Sequence, residues 1–197
     1  MTPEAKPLYN ARNPYQARCT RNVNLCGPGS DKDTRHIEIS LAGSGLTYEV
    51  GDALAVKPVN DPTLVELTLK ALGFSGDEPV KVKDAGKPIR EALSRDYQIH
   101  FVEKKFLAKL AEKGAAKIAE LLKPENAAAL AEYTSATNAS RDYVDVLAEF
   151  PGIQFSPQEF ADTLRGLTIR LYSIASSQKA HPERVDLTVA TVRWTAD

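Results

Sequence analysis

The residues best placed to do chemistry lie in one stretch near the end of the chain, around Arg170 and Tyr172. Side chains two residues apart on a strand share a face and lie about 6.6 Å from each other. A strand here therefore sets a guanidinium beside a phenol ring. The guanidinium offers a fork of donors suited to a phosphate, and the ring offers a flat surface for stacking. A nucleotide or flavin cofactor makes both demands, although an ordinary edge strand with a solvated arginine has the same spacing.

The wider stretch has the pattern of a strand that ends in a polar loop. Leu167, Ile169 and Leu171 alternate with polar residues, which predicts a strand with these three side chains on one face. Hydroxyl side chains follow where the strand is expected to end, at Ser173, Ser176 and Ser177. They add hydrogen-bonding groups next to the arginine–tyrosine pair.

The string Arg-Leu-Tyr-Ser-Ile-Ala-Ser-Ser, from Arg170 to Ser177, resembles the flavin-binding motif of the ferredoxin–NADP reductase superfamily. It is most similar to the diflavin reductases, which include sulfite reductase flavoproteins and cytochrome P450 reductases. The resemblance implies that Arg170 holds the FAD pyrophosphate and that Tyr172 stacks on the isoalloxazine ring. It also implies that Ser173 lies near the reactive N5 of the flavin, as the catalytic residue. Leu171 belongs to the same cofactor-binding set.

The opening of the chain predicts short strands separated by glycine-rich turns, at about residues 15–24, 35–41 and 48–58. Such a pattern is typical of an antiparallel barrel or sandwich. The segments 35–38, 43–49 and 51–54 are similar to barrel strands of sulfite-reductase-type flavoproteins. We interpret Gly51 and Asp52 as turn residues of the scaffold.

Helical periodicity replaces the strand pattern between residues 61 and 165. Asp61 with Pro62 predicts a helix start, Gly73 predicts its end, and Ser156-Pro157-Gln158-Glu159 is a capping box. Because strands resume at Leu167, we predict an α+β fold in which a helical domain is inserted into an antiparallel Greek-key β-barrel. The predicted boundaries are an extended lead at 1–13, an incomplete FAD-binding barrel at 14–60 and 166–197, and a connecting domain at 61–165. Two unrelated domains in series are the alternative.

Three further residues are candidates for the cofactor site. An arginine at a helix N-terminus is unfavourable for the helix dipole, so a ligand anion would explain Arg141 beside a helix that begins at Asn138 or Ser140. A solvated surface arginine explains it equally well. The resemblance implies that Thr188 of the last strand lies against the flavin, and that the only tryptophan, Trp194, lies on the adenine side. A tryptophan that covers the mouth of the barrel is the alternative.

Composition and charge exclude several classes of function. The 197 residues are 43% hydrophobic and 26% charged, which is ordinary for a globular protein. A net charge of −1 argues against binding to nucleic acid or an anionic membrane. We find no membrane-spanning run and no signal peptide. The spacing of Cys19, Cys26 and the three histidines fits no metal site. We expect free thiols in a reducing cytoplasm, and a disulfide between the two cysteines is the alternative.

The resemblance covers nearly the whole chain, but the chain covers only part of such an enzyme. Relatives of this kind continue with a glycine-rich pyrophosphate turn, a final barrel strand and an NADP(H)-binding domain. We therefore expect a C-terminally truncated piece that is inactive alone and binds FAD weakly. An open barrel edge would favour dimerisation.

The resemblance implies the FAD-binding region of an NADPH-dependent oxidoreductase that passes electrons from NADPH through FAD to FMN. The final acceptor would be a haem or siroheme protein such as sulfite reductase. The expected partners are a flavodoxin-like FMN domain, an NADP(H)-binding domain and that acceptor. Two alternatives stay open: a non-catalytic interaction module whose helical insertion docks a partner without flavin, and a generic nucleotide-binding β domain. A yellow sample would favour the flavin-binding hypothesis.

Overall fold

The computed structural model describes residues 9–11, 13–134 and 141–192, and these residues form an α+β fold, which confirms the predicted class. The strands are β1 Arg18–Asn24, β2 Thr34–Ser40, β3 Ala53–Val56, β4 Pro79–Val82, β5 Ala85–Pro88, β6 Arg170–Ser173 and β7 Arg184–Ala190. The helices are α1 Pro62–Leu72, α2 Ile89–Arg95, α3 Lys104–Glu112, α4 Ala116–Leu121, α5 Ala127–Tyr133, α6 Tyr143–Glu149 and α7 Pro157–Thr163. A short 3-10 turn, Pro124–Asn126, lies between α4 and α5.

The chain divides into two compact units. The first, here called the β unit, consists of the described parts of Met1–Lys57 and Ile169–Arg193 and contains β1, β2, β3, β6 and β7. The second, the helical unit, consists of the described residues of Pro58–Thr168 and contains α1 to α7 with the hairpin β4–β5. The stretch from 167 to 178 thus begins in one unit and continues in the other.

The β unit is built on an antiparallel sheet in the order β1-β2-β7. The alternation along β2 predicts that Ile37 and Ile39 face inward, and they lie opposite the buried Leu187 and Val185 of β7, although both are themselves half-buried. The most buried residue of this strand is Glu38, which is 9% exposed. Its carboxylate is paired with Arg21 and Arg184, and these ion pairs allow an acidic side chain to be buried on the opposite face of the strand.

A second antiparallel pair joins β3 to β6. An isolated bridge between Ile174 and Leu187 connects the end of β6 to β7, so the hydrogen-bonded order is β1-β2-β7-β6-β3. The outer strands of this series are β1 and β3, and among the described residues no strand joins them. The described part of the chain forms no closed barrel, and the Greek-key barrel stays a prediction.

The strand predicted from Tyr48 is shorter than expected, because β3 begins only at Ala53. The preceding residues form a turn in which Gly51 has a φ of 101°. The amide of Asp52 donates to the carbonyl of Glu49 at 3.2 Å, and the Asp52 carboxylate accepts from the Glu49 amide at 2.8 Å. The prediction that Gly51 and Asp52 are turn residues is therefore confirmed.

The capping signals of the helical unit are confirmed at two helices. The Asp61 side chain caps α1, which has Pro62 at its first position and ends at Gly73 with a φ of 71°. Ser156 and Glu159 form the predicted capping box at the start of α7.

Two local features of the helical unit differ from the sequence prediction. The residue that caps α6 is Asp142, whose carboxylate accepts from the amides of Val144 and Asp145. The predicted starting residues, Asn138 and Ser140, lie outside the described part of the chain. The second strand of the hairpin, β5, was not predicted, because its turn uses Lys83 at a φ of 56° where a glycine or asparagine would be the usual signal.

An aromatic cluster forms the centre of the helical unit. The ring of Phe106 lies 4.9 Å from that of Tyr143, 5.5 Å from that of Phe155 and 5.8 Å from that of Phe160, measured between centroids. Phe106, Tyr143 and Phe160 are fully buried. This core holds the unit together by apolar packing, with a large contribution from aromatic surface.

Candidate functional site

The strand β6 places Arg170 and Tyr172 on the same face of the β3–β6 pair, opposite Val56 and Leu54 of β3. Arg170 is exposed and Tyr172 is half-buried. Among the residues that the structure describes, no carboxylate forms an ion pair with Arg170. An open guanidinium next to a partly exposed ring can bind a phosphate and a planar ring of one ligand at the same time.

The neighbouring candidates, Leu171 and Ser173, lie on the other face of the same pair, opposite Ala55 and Ala53. All four of these residues are exposed, and Leu171 is 68% exposed. Because side chains alternate along a strand, Leu171 cannot reach the face of Tyr172 within β6. Ser173 is the last residue of the strand, where the chain changes partner from β3 to β7.

The predicted apolar face of Leu167, Ile169 and Leu171 is not formed as one buried surface. Leu167 is hydrogen-bonded within the helical unit, where its amide donates to the carbonyl of Asp96 at 2.7 Å. Ile169 is 44% exposed in the β unit. The strand therefore begins at Arg170, three residues later than the apolar alternation indicates, because the chain leaves the helical unit at this point.

Thr188 and Trp194 are the two candidates on the last predicted strand, and only Thr188 lies within the described residues. Thr188 lies on β7 opposite His36 of β2, is exposed, and follows directly after Leu187, which bridges to Ile174 beyond β6. Trp194 lies outside the described residues.

Arg141 lies in the helical unit and has contacts of its own. Its Nε donates to a carboxylate oxygen of Glu149 at 3.2 Å, and its guanidinium lies 4.5 Å from the ring centroid of Tyr133. Lys117 pairs with the same carboxylate. Burial opposes ionisation of Glu149, but hydrogen bonds from Lys117 and Tyr133 outweigh it and lower the pKa of the carboxyl. These contacts account for Arg141 without a ligand anion.

A cluster of charged side chains that the sequence did not predict connects β1, β2 and β7. Glu38 pairs with Arg21 and Arg184 and contacts His36 at 3.2 Å, while Asp186 pairs with Arg184 at 2.9 Å. Ligand-type atoms of His36, Glu38 and Asp186 lie within 4.8 Å of one another, which resembles a metal site. Two guanidinium groups already neutralise the two carboxylates, so this cluster has no net negative charge with which to hold a divalent cation. We interpret the cluster as structural.

The loop after β6 lies beside a groove of about 460 Å³ in the β unit. The groove is lined by Thr47, Tyr48, Glu49, Asp52, Gln178 and Lys179. Its two carboxylates outnumber its one ammonium group, which disfavours a phosphate there. Sequence reasoning did not identify the hydrogen bond from the Tyr48 amide to Gln178, because the two residues lie 130 positions apart in the chain.

The two cysteines are free thiols, as expected. Cys19 lies near the start of β1 and Cys26 lies just beyond its end. At about 3.3 Å per residue, the strand between them holds them far beyond the Cα separation of about 5–7 Å that a disulfide needs. A hydrogen bond from the Thr34 amide lowers the pKa of the Cys26 thiol.

The comparison with known proteins identifies the family. The profile of the FAD binding domain family matches residues 7–197. The sulfite reductase [NADPH] flavoprotein alpha-component of Bacillus subtilis (strain 168) is 44% identical over 191 residues, covering 95% of this chain and 31% of that protein. The proteins of the same name from Aliivibrio fischeri and Zymomonas mobilis are 39% and 38% identical, and cover 94% and 96% of this chain.

The chain therefore belongs to the FAD binding domain family. This result confirms the resemblance to sulfite reductase flavoproteins inferred from the string Arg170 to Ser177. The chain spans less than a third of the length of these relatives. Within the described residues, no helix is both long and apolar enough to cross a membrane.

Proposed function

We propose that the β unit binds FAD and that the chain is the FAD-binding part of an NADPH-dependent sulfite reductase flavoprotein. The observation that carries this proposal is the pair of Arg170 and Tyr172 on one face of β6, in a chain of the FAD binding domain family. Bound FAD would supply the redox chemistry by taking electrons from NADPH and passing them on. The residues of this chain would bind and orient the cofactor.

Two residues of β6 fit the pyrophosphate and the isoalloxazine ring of FAD. Arg170 would hold the pyrophosphate, because its guanidinium is exposed and free of carboxylates among the described residues. Tyr172 would stack on the isoalloxazine ring, with part of its surface available for contact. Leu171, with its side chain on the opposite face, would contact the cofactor only through its backbone.

Ser173 is the proposed catalytic residue near N5 of the flavin. It is exposed, and among the described residues no hydrogen bond engages its hydroxyl, which leaves the group available to the cofactor. Thr188 is supported by its exposure on β7, next to the bridge from β6. Trp194 rests on the resemblance alone. For Arg141, the contacts to Glu149 and Tyr133 support a structural role instead.

The two units suggest how the chain takes part in a larger enzyme. We assign the β unit to an incomplete FAD-binding barrel and the helical unit to the connecting domain inserted in it. The full enzyme would add a flavodoxin-like FMN domain and an NADP(H)-binding domain, and would deliver electrons to a haem or siroheme acceptor. The outer strands β1 and β3 offer edges through which a barrel could be completed or two copies could pair.

Titration of the purified chain with FAD and with riboflavin tests the site. Riboflavin has the isoalloxazine ring but lacks the pyrophosphate. Arg170→Ala should therefore weaken FAD binding about 10- to 100-fold and leave riboflavin binding unchanged. Tyr172→Ala should weaken the binding of both ligands, because stacking is common to them.

Arg18→Ala serves as the matched control, since Arg18 is an exposed arginine on β1 of the same unit. It should leave both affinities unchanged. Failure of the chain to bind FAD saturably, or equal FAD binding by Arg170→Ala and the unaltered chain, would overturn the assignment. Family membership favours this function over a flavin-free interaction module and over a generic nucleotide-binding domain.

A further inference from the structure

The loop that follows the motif is attached to the sheet through the hydroxyl of Tyr48. This hydroxyl lies 2.7 Å from the Ser176 hydroxyl and 2.9 Å from the carbonyl oxygen of Arg184 on β7. The Ser176 hydroxyl also lies 2.9 Å from the amide nitrogen of Asp186. The segment around Tyr48 thus meets the loop after β6 and the strand β7 at two hydroxyl groups.

The direction of every hydrogen bond in this group follows from the chemistry of its ends. The Arg184 carbonyl can only accept, so the Tyr48 hydroxyl uses its single proton there. The Ser176 hydroxyl must then donate to the Tyr48 oxygen, and it accepts from the Asp186 amide, which can only donate. The result is one unbranched chain of hydrogen bonds in which each bond polarises the next.

This chain of hydrogen bonds lies where the backbone changes partner. β6 pairs with β3 as far as Ser173, and the amide of Ile174 still donates to the carbonyl of Asp52 at 3.1 Å. One residue later, the amide of Ala175 donates to the carbonyl of Asp186 at 2.8 Å. The Ser176 hydroxyl then accepts from the amide of the same Asp186, in the place of a backbone carbonyl.

A second attachment follows two residues later. The side-chain oxygen of Gln178 accepts from the Tyr48 amide at 2.7 Å, and its nitrogen donates to the carbonyl of Leu46 at 3.1 Å. The segment around Tyr48 therefore holds the loop at two points. The side-chain bonds fix the path of the chain immediately after Tyr172 and Ser173.

We propose that Tyr48 and Ser176 are positioning residues for the flavin. The hydrogen bond between their hydroxyls fixes the positions at which Tyr172 and Ser173 would contact the flavin. This proposal rests on the proposed function, because it concerns the same cofactor. Neither residue is among the proposed FAD contacts. They act by fixing the point at which the backbone changes its hydrogen-bonding partner from β3 to β7. This point lies four residues or fewer from the proposed flavin contacts.

The test uses Tyr48→Phe and Ser176→Ala in the full chain, with Tyr15→Phe as the matched control. Tyr15 is also in the β unit and donates its hydroxyl proton to a backbone carbonyl, that of Ala42, at 2.7 Å. Amide hydrogen exchange without ligand should accelerate about tenfold at Asp186 in both test variants and stay unchanged in the control.

FAD affinity should fall about five- to tenfold in Tyr48→Phe and in Ser176→Ala. The double variant should bind FAD at most about twofold more weakly than the weaker-binding single variant, because both changes break the same chain of hydrogen bonds. The fluorescence of the flavin at saturation should rise, since Tyr172 would stack on it less well. A loss of folded protein alone would change the apparent affinity but not the fluorescence of the bound flavin.

The outcomes separate this proposal from the FAD assignment. If exchange at Asp186 accelerates while FAD affinity and bound-state fluorescence stay unchanged, FAD binding stands and the positioning role is overturned. Unchanged exchange in both variants overturns it as well. If the unaltered chain binds no FAD, the proposed function is overturned and the positioning role with it.

Discussion

The two units bury different kinds of side chain. The helical unit has a continuous apolar core to which each of its seven helices contributes. In the described part of the β unit, the buried apolar residues are Leu41, Val185 and Leu187, and the polar Glu38, Ser44 and Asp186 are buried as well. The helical unit is therefore held mainly by apolar packing, whereas the β unit depends more on strand pairing and ion pairs.

This difference fits the location of the candidate site. Apolar packing is non-directional and tolerates few open polar groups. A unit held by directed hydrogen bonds can leave a guanidinium such as that of Arg170 at its surface, without an ion pair to any described residue, and still fix the backbone that carries it. The structure thus suggests that one unit supplies stability through its core and the other supplies orientation through its polar groups.

The largest effect that the comparison predicts is in the apolar core. Leu69→Ala should lower the free energy of unfolding of the helical unit by about 3 kcal/mol, because Leu69 is only 2% exposed and its loss leaves a cavity. Leu67 lies on the same helix but is 45% exposed, so Leu67→Ala should cost less than about 1 kcal/mol. Urea unfolding followed by circular dichroism at the helix band measures both. Equal costs would contradict the packing argument.

The helical unit could be predicted well from its sequence because its signals are local. The caps at Asp61 and Ser156 and the terminating Gly73 need only their immediate neighbours. The hairpin turn at Lys83 was missed because its backbone conformation is unusual for a lysine.

The β unit could be predicted in outline but not in its interior. Period-2 alternation identifies β2 and β7 and the face that Ile37 and Ile39 share with the buried Leu187 and Val185. It gives no sign that Glu38, on the opposite face, is buried. Its burial depends on Arg184, which lies 146 positions later in the chain. For the candidate site, the short motif identifies Arg170 and Tyr172, whereas the contact of Tyr48 with Ser176 spans 128 positions and leaves no local pattern.

Acid should weaken the β unit through Glu38. Burial raises the pKa of this carboxyl, but hydrogen bonds from His36 and Arg21 and the charge of Arg184 outweigh that effect and hold it below its ordinary value of 4.5. Since the folded pKa is lower than the unfolded one, the carboxylate's contribution to stability is complete above the ordinary value and is lost as the pH falls through the folded value. Glu38→Gln should therefore destabilise the β unit near neutral pH and reduce the further loss in acid.

Urea unfolding at a series of pH values, followed by the amide signals of β2 and β7, measures this effect. Glu183→Gln is the control, because Glu183 is exposed and its carboxylate forms no ion pair with the described residues. It should retain the acid dependence of the unaltered chain. If the stability of Glu38→Gln falls with pH as much as that of the unaltered chain, other carboxylates are responsible. The argument that buried ion pairs distinguish the β unit from the helical unit would then fail.

The smallest expected effect concerns Arg141, the one charged candidate that lies in the helical unit. Arg141→Ala should lower the stability of that unit by about 1 kcal/mol, because it removes an ion pair with Glu149 and a cation–π contact with Tyr133. Arg141→Lys should recover part of the ion pair but little of the planar stacking. If Arg141 is structural, both variants should bind FAD and riboflavin as the unaltered chain does. A selective loss of FAD affinity would instead make Arg141 a second pyrophosphate ligand, and the helical unit would then contribute to binding as well as to stability.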